Sequence, residues 1–158
     1  MKEYYIIKIQ FNRKSYYCIW YTNDIDGIVM EGNHIIYSDS LLELKKYCEK
    51  KGIILGIGIS EYNIDDLLEW LYSSKEMIDY KIILNFWNLM SDFANTVNEY
   101  FYGDDGETTS IYNKIFAGNN LLNKSEKKYV PIWSDEETMQ ISKVLLSGVD
   151  ILKRCLNI

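Results

Sequence analysis

The sequence predicts an α+β fold in which an antiparallel, β-rich N-terminal half packs against a helical C-terminal half. Aromatic and β-branched runs separated by polar turns fill the first sixty residues, a pattern typical of antiparallel strands. Beyond residue 60, apolar residues recur at three-and-four spacing between capping signals, which indicates amphipathic helices. At 158 residues the chain has the usual size of one domain, so we assign residues 1–158 to a single domain.

The first strands are predicted to form a hairpin. Residues 4–11 and 16–21 are rich in Ile and Tyr, and they flank a polar turn at residues 12–15. Strands that are close in sequence and separated by a short polar turn usually pair antiparallel. Residues 28–30 and 34–37 indicate further strand material.

A helix and a buried strand are expected next. Ser40 followed by Glu43 forms a capping box, and Gly52 is placed to end the helix. The run 53–59 is wholly apolar and glycine-containing, which is typical of a strand buried on both faces.

The remainder is predicted to be mainly helical. Asn63 or Ile64 is expected to open a short helix, and a central amphipathic helix is expected from about residue 77 to about residue 100, ended by Gly103. Ser134 and Glu137 form a second capping box that opens the last helix.

Charge is unevenly distributed and favours a basic partner. The formal net charge is −6, and residues 61–158 hold nine Lys/Arg against sixteen Asp/Glu. An acidic surface repels phosphate backbones, so we expect no direct nucleic-acid partner, whereas it attracts basic proteins.

Localisation is predicted from cysteine usage and hydropathy. The three cysteines are widely spaced and odd in number, which argues for free thiols in a reducing cytoplasm. The N-terminus lacks the organisation of a signal peptide, and no run approaches the ~18 apolar residues of a membrane span. We therefore expect a cytoplasmic protein without a membrane segment.

No catalytic constellation is evident. His34 is the only histidine, which excludes a His–His metal pair, and the glycines of 53–59 lack the third glycine of a dinucleotide fingerprint. We predict no catalytic residue, no metal site and no cofactor. One alternative stays open, a carboxylate enzyme that holds a metal ion with Asp24, Asp26 and Glu31.

Three segments carry a family resemblance: LNFWNLMSD at 84–92, IYNKIFAGNNL at 111–121 and YVPIW at 129–133. Over about residues 78–150 the chain resembles bacterial immunity proteins, the antidotes encoded beside polymorphic toxins, including those of contact-dependent growth inhibition systems. The resemblance implies a protein that neutralises a toxin by binding it. It implies no catalytic residues, and it says little about architecture because such proteins have many folds.

The partner implied by the resemblance is a basic toxin domain, often a nuclease. An acidic inhibitor with aromatic anchors can fill a phosphate-binding cleft, with its carboxylates where phosphates would lie. A regulatory or ligand-binding adaptor without a toxin is the remaining alternative. The candidate partner-binding residues are Asp104, Asp105, Glu107, Tyr100, Tyr102 and Tyr112.

Overall fold

The computed structural model describes residues 1–73 and 79–158, and it confirms the α+β class. The strands are β1 (Glu3–Phe11), β2 (Lys14–Thr22), β3 (Gly27–Ile28), β4 (Met30–Glu31), β5 (His34–Ile35), β6 (Tyr37–Ser38) and β7 (Leu55–Asn63). The helices are α1 (Leu41–Lys51), α2 (Ile64–Tyr72), α3 (Tyr80–Val97), α4 (Thr109–Gly118) and α5 (Asp135–Cys155). Two 3₁₀ turns, Tyr102–Asp104 and Gly106–Thr108, lie between α3 and α4.

The main sheet has the strand order β3-β2-β1-β7, and β6 also pairs with β2. The predicted antiparallel hairpin of β1 and β2 is confirmed. By contrast, β7 runs parallel to β1 and forms one edge of the sheet. The short strands β4 and β5 form a separate ribbon.

The hairpin turn is tighter than the sequence suggested. Phe11 pairs with Lys14, so the loop is only Asn12 and Arg13, and both have positive φ, at 51° and 61°. Such a turn matches the right-handed twist of the two strands. The carboxylate of Asp65 accepts hydrogen bonds from the backbone N–H of Asn12 at 2.8 Å and of Arg13 at 2.9 Å, which ties the hairpin to α2.

The prediction that residues 53–59 form a buried strand is wrong. The strand starts at Leu55, and Ile57 is fully exposed. Gly58, at φ +96°, marks an irregularity at which the register with β1 shifts. β7 is an edge strand with no strand beyond it among the described residues. Its side chains at Ile57 and Ile59 are therefore exposed to solvent despite the buried-strand pattern.

The sheet is covered on both faces. On one face, Leu44 and Cys48 of α1 pack with Ile6 and Ile19 in a small buried cluster. On the other face, one continuous buried cluster contains residues of β1, β2 and all four helices from α2 to α5. The helical half therefore packs against the sheet, as the sequence predicted.

The central helix α3 crosses α5 at close range. A Cβ added at Gly148 would lie 2.7 Å from Met90 and 2.9 Å from Phe86, so the crossing leaves no room for a side chain there. The predicted start of α3 near residue 77 lies outside the described residues. Its end was predicted wrongly, because Asn98 in the left-handed conformation, at φ 55°, caps the helix five residues before Gly103.

The capping box predicted for α5 is confirmed, whereas the one predicted for α1 is half present, because the backbone N–H of Ser40 donates to the Ser38 hydroxyl and not to Glu43. Ser134 accepts from the backbone N–H of Glu137 at 3.2 Å, and the Glu137 carboxylate accepts from Ser134 at 3.1 Å. Ser40 caps α1, which ends at Gly52 in the left-handed conformation. Within residues 1–73 and 79–158, no helix is both long enough and apolar enough to cross a membrane.

Candidate functional site

The acidic loop, defined here as residues 100–107, is anchored to α3 through its glycine. The indole Nε1 of Trp87 donates to the carbonyl oxygen of Gly103 at 3.0 Å. A Cβ at Gly103 would lie 2.5 Å from the Phe101 ring and 2.7 Å from that indole nitrogen. Gly103 is therefore required by the close approach of two buried aromatic rings, not by the end of the helix.

A second set of hydrogen bonds holds the loop from inside. The Thr108 hydroxyl is buried, and its oxygen lies 2.8 Å from the carbonyl oxygen of Asp105 and 3.0 Å from that of Gly103. The backbone N–H of Tyr102 donates to the Ser147 hydroxyl on α5 at 3.1 Å. The loop is thus fixed to both α3 and α5.

Carboxylates and tyrosines pair within the loop. Tyr100 donates to Asp105 Oδ2 at 2.8 Å, and the backbone N–H of Glu107 donates to Asp105 Oδ1 at 3.0 Å. The Glu107 amide and then the Tyr100 hydroxyl lower the pKa of Asp105. Its carboxylate in turn raises the pKa of Tyr100.

Tyr102 pairs in the same way with Glu107. Its hydroxyl donates to Glu107 Oε1, and this hydrogen bond raises the pKa of Tyr102. At neutral pH the two tyrosines are therefore protonated donors, and the carboxylates of Asp105 and Glu107 are held in place as their acceptors before any ligand arrives.

An open groove of about 770 Å³ separates the loop from α5. The loop forms one wall, and an exposed stripe of α5 forms the other. This stripe consists of Met139, Ser142, Lys143, Leu146, Ser147, Asp150 and Arg154. Its two apolar members, Met139 and Leu146, are 72% and 37% exposed, so this wall carries exposed apolar side chains among polar and charged ones.

The charges of the α5 wall differ in how they are held. The Lys143 ammonium lies 4.2 Å from the centroid of the Tyr102 ring, over its face. Arg154, which also lines the groove, has its Nη2 2.7 Å from Glu99 Oε1. Asp150 is exposed, and its side chain makes no hydrogen bond or ion pair with other residues in the described ranges. Its carboxylate is therefore available to a ligand without breaking an internal contact.

The structure brings four of the six predicted residues into this groove: Tyr100, Tyr102, Asp105 and Glu107. The other two serve internal contacts. Asp104 accepts from the Ser91 hydroxyl of α3. Tyr112 donates to Asn88 Oδ1 at 2.8 Å, and its ring centroid lies 5.4 Å from that of Trp87 in an edge-to-face arrangement.

The α5 wall was missed by the sequence reasoning. The sequence contains one signal for it, because Met139 and Leu146 lie seven residues apart and outside the core stripe of Ile141, Leu145 and Val149. Two apolar residues two helical turns apart on the solvent side indicate a second contact face of an amphipathic helix.

The aromatic and amide residues of the resembling segments mainly hold the connection between α4 and α5. Asn120 bonds both backbone groups of Tyr129, donating to its oxygen at 3.1 Å and accepting from its nitrogen at 2.8 Å. The indole of Trp133 donates to the Tyr80 hydroxyl at 3.0 Å, and the two rings stack. Lys114 joins the same cluster, with its ammonium 4.6 Å from the Trp133 ring centroid.

The alternative metal site does not form. In the part of the chain that the structure describes, no group of three or more His, Cys, Asp or Glu side chains could hold a metal ion. Asp24, Asp26 and Glu31 are therefore not gathered into a centre, and His34 is exposed on β5.

No protein-family model, curated protein or solved structure matches this chain.

Proposed function

We propose that the chain is an immunity protein that binds a cognate toxin domain by protein–protein contact and thereby neutralises it. The supporting observation is the groove between the acidic loop and α5. It joins exposed apolar side chains, Met139 and Leu146, to hydrogen-bonded tyrosines and carboxylates. Aromatic and apolar anchors surrounded by a charged rim are typical of protein interfaces.

The electrostatics favour a basic partner. The net charge is −6, and the groove carries the carboxylates of Asp105, Glu107 and Asp150. A nuclease toxin domain has a cationic cleft that binds phosphate, and carboxylates at suitable spacing can occupy that cleft. Opposite charges also accelerate the encounter of two proteins, most strongly at low ionic strength.

The two cations of the groove add specificity. Lys143 lies over the Tyr102 ring, and Arg154 is paired with Glu99. A partner surface must therefore present carboxylates or acceptors near these positions as well as basic residues opposite the loop, because unmatched charges are costly to bury.

Preorganisation supports tight binding. The loop is held by Trp87, Thr108 and Ser147 through hydrogen bonds to its backbone. A surface that is ordered before binding loses less conformational entropy on association. Tyr100 and Asp105 are thus held in one arrangement by their mutual hydrogen bond.

Co-expression with the product of a neighbouring open reading frame tests the proposal. The frame to choose is one whose product ends in a small basic domain. We expect a one-to-one complex on gel filtration and loss of the domain's toxicity or nuclease activity in that complex. A basic domain that remains toxic, and migrates separately from the chain, contradicts the proposal.

A second candidate function rests on the groove's volume. At about 770 Å³ it falls within the range of small-molecule pockets, roughly 300–1,000 Å³. A ligand-binding adaptor would be stabilised by its small molecule alone, since a ligand that binds only the native state raises the melting temperature. Screening metabolites by thermal shift distinguishes this function, because an immunity protein requires its toxin for the same effect.

A further inference from the structure

The strand β7, Leu55–Asn63, lies at one edge of the main sheet. β7 ends the sheet, and β1 is its only strand neighbour among the described residues. An edge strand presents backbone donors and acceptors that an extended chain can pair with. Exposed apolar side chains at Ile57 and Ile59 add to this edge.

Two cavities lie beside this edge. One, of about 430 Å³, is lined by β7 together with Tyr5 and Trp20, whose ring centroids are 6.0 Å apart. The other, of about 230 Å³, is lined by Ile82 and Phe86 of α3. Tyr62 of β7 contributes to both cavities. Pockets along an open edge provide specificity for alternate side chains of an added strand.

The register with β1 assigns the two faces of β7. Ser60 pairs with Ile7, and Tyr62 pairs with Ile9, so both lie on the face of the larger core and of the cavities. Glu61 lies on the opposite face, where its carboxylate is 3.6 Å from the Lys8 ammonium and remains mostly exposed.

We propose that β7 accepts an extended segment of another protein as an additional strand. The chemistry of the edge describes that segment: apolar side chains at alternate positions face the two cavities, and a Lys or Arg lies opposite Glu61. Asp66 is exposed in the first turn of the helix that follows β7 and adds negative charge just after the end of the strand. Opposite charges across a strand pair stabilise it, which favours a basic segment. This second surface does not depend on the partner of the groove.

A second copy of this chain fits the edge poorly. The regular part of β7 is residues 59–63, because the register shift at Gly58 interrupts the alternation before it. A symmetric antiparallel pairing over that whole part places Glu61 opposite the Glu61 of the second copy. Like charges directly opposite each other destabilise a strand pair. The segment therefore belongs to a different, basic polypeptide.

A synthetic peptide tests the edge directly. The probe is an acetylated and amidated nine-residue peptide of alternating Lys and Val, and its binding is followed by fluorescence anisotropy and by amide hydrogen exchange. We expect new protection of those amides of residues 59–63 that point away from β1, since the others already bond within the sheet. We also expect Ile57→Lys and Ile59→Lys to weaken binding by about tenfold or more, since each brings a cation to the edge.

The matched control is Ile54→Lys, which alters an exposed isoleucine one residue before β7 begins. It should leave binding within about twofold of the unchanged protein. A peptide N-methylated at alternate residues should not bind, because it lacks the backbone donors of a strand. Melting temperatures of the three lysine variants confirm that each is folded.

Three results overturn the proposal. The first is no binding of the peptide to the unchanged, folded protein. The second is equal weakening by Ile54→Lys and Ile59→Lys, or undiminished binding of the N-methylated peptide. The third is self-association in sedimentation that Ile59→Lys abolishes, which assigns the edge to a second copy of the chain.

Discussion

The indole nitrogen of Trp87 donates a 3.0 Å hydrogen bond to the carbonyl oxygen of Gly103, sixteen residues further along the chain. Trp87 is almost completely buried, so it does not reach a binding surface itself. Its role is to position the acidic loop, whose side chains line the groove. Through this hydrogen bond, a buried residue of α3 determines the position of a surface loop that follows the helix in the sequence.

Substitution of Gly103 by alanine should destabilise the protein. The new methyl group would lie 2.5 Å from the Phe101 ring and 2.7 Å from Trp87 Nε1, so one of the two rings must move. Overpacking of this kind costs typically about 1–3 kcal/mol of unfolding free energy, measured by urea denaturation. Gly106→Ala is the matched control, because a Cβ there meets no atom within 4 Å. Equal losses for the two variants would falsify this account of Gly103.

Substitution of Arg13 by glycine should stabilise the hairpin. Arg13 has φ 61° in a two-residue turn, a conformation that costs an L-residue roughly 1–2 kcal/mol and glycine almost nothing. Part of the gain is lost to the greater freedom of glycine in the unfolded chain, so we expect a net increase of about 0.5–1 kcal/mol in unfolding free energy. Lys14→Gly, within β2, should lower stability instead. A loss of stability in Arg13→Gly would contradict the assigned turn.

Asp92 should make stability depend on pH. Burial raises its pKa, the hydrogen bond from the Trp20 indole opposes this, and the carboxylates of Asp26 and Asp104 raise it further. Because the pKa of Asp92 is higher in the folded than in the unfolded state, protonation of its carboxyl group stabilises the fold. This stabilisation is fully present below the ordinary carboxyl pKa and is lost as pH rises through the raised pKa.

The variant Asp92→Asn tests that sign. Asparagine keeps an acceptor for the Trp20 indole but cannot ionise, so it should exceed the unchanged protein in stability at pH 7. Solvent screening at this half-buried site keeps the advantage to about a few tenths of a kcal/mol. The advantage should shrink as pH falls from 7 towards 4, measured by urea denaturation at each pH. An advantage that grows on acidification would show that the pKa is lowered rather than raised.

Charge reversal in the groove should slow association with a basic partner. Asp104 and Asp105 both hold the loop through internal hydrogen bonds, so Asp150→Lys is the cleaner reversal. We expect a severalfold lower association rate and a weaker dependence on ionic strength, with a smaller change in dissociation rate. Asp24→Lys, on an exposed turn of the β-rich half, is the control for net charge. Stopped-flow or surface-binding kinetics that change equally in both variants would assign the effect to net charge alone.

The local signals in the sequence located the starts of α1, α2 and α5, and they were insufficient for the end of α3 and for the sheet edge. Ser40 and Ser134 each cap a helix as predicted, and of the two predicted starts of α2, Asn63 or Ile64, Asn63 is the cap. Capping is readable from sequence because it depends on hydrogen bonds between residues three apart. The apolar run in β7 was wrongly predicted to be buried. The local pattern of apolar residues does not indicate whether a strand has neighbours on both sides. In the tertiary structure β7 is the edge strand of the sheet.

One wall of the groove, the acidic loop, could be predicted from the sequence, and the other wall, on α5, could not. Acidic and aromatic residues after α3 indicated the loop, since Asp105 and Glu107 lie within it. The opposing wall depends on how α5 packs beside that loop, which involves long-range contacts such as that from Tyr102 to Ser147. Likewise, Gly103 was interpreted as a helix stop because its tertiary neighbour Trp87 is sixteen residues away.

The most direct test of the groove as the toxin-binding surface is the dissociation constant of the toxin complex for Leu146→Asp and Met139→Asp. The matched control is Leu42→Asp, an exposed leucine of α1 on the opposite face of the sheet. If the groove is the interface, the two groove variants weaken binding by about 30-fold or more, the effect of losing an interface hot spot, while the control retains the affinity of the unchanged protein. If all three folded variants bind with unchanged affinity, the groove is not the surface that holds the toxin.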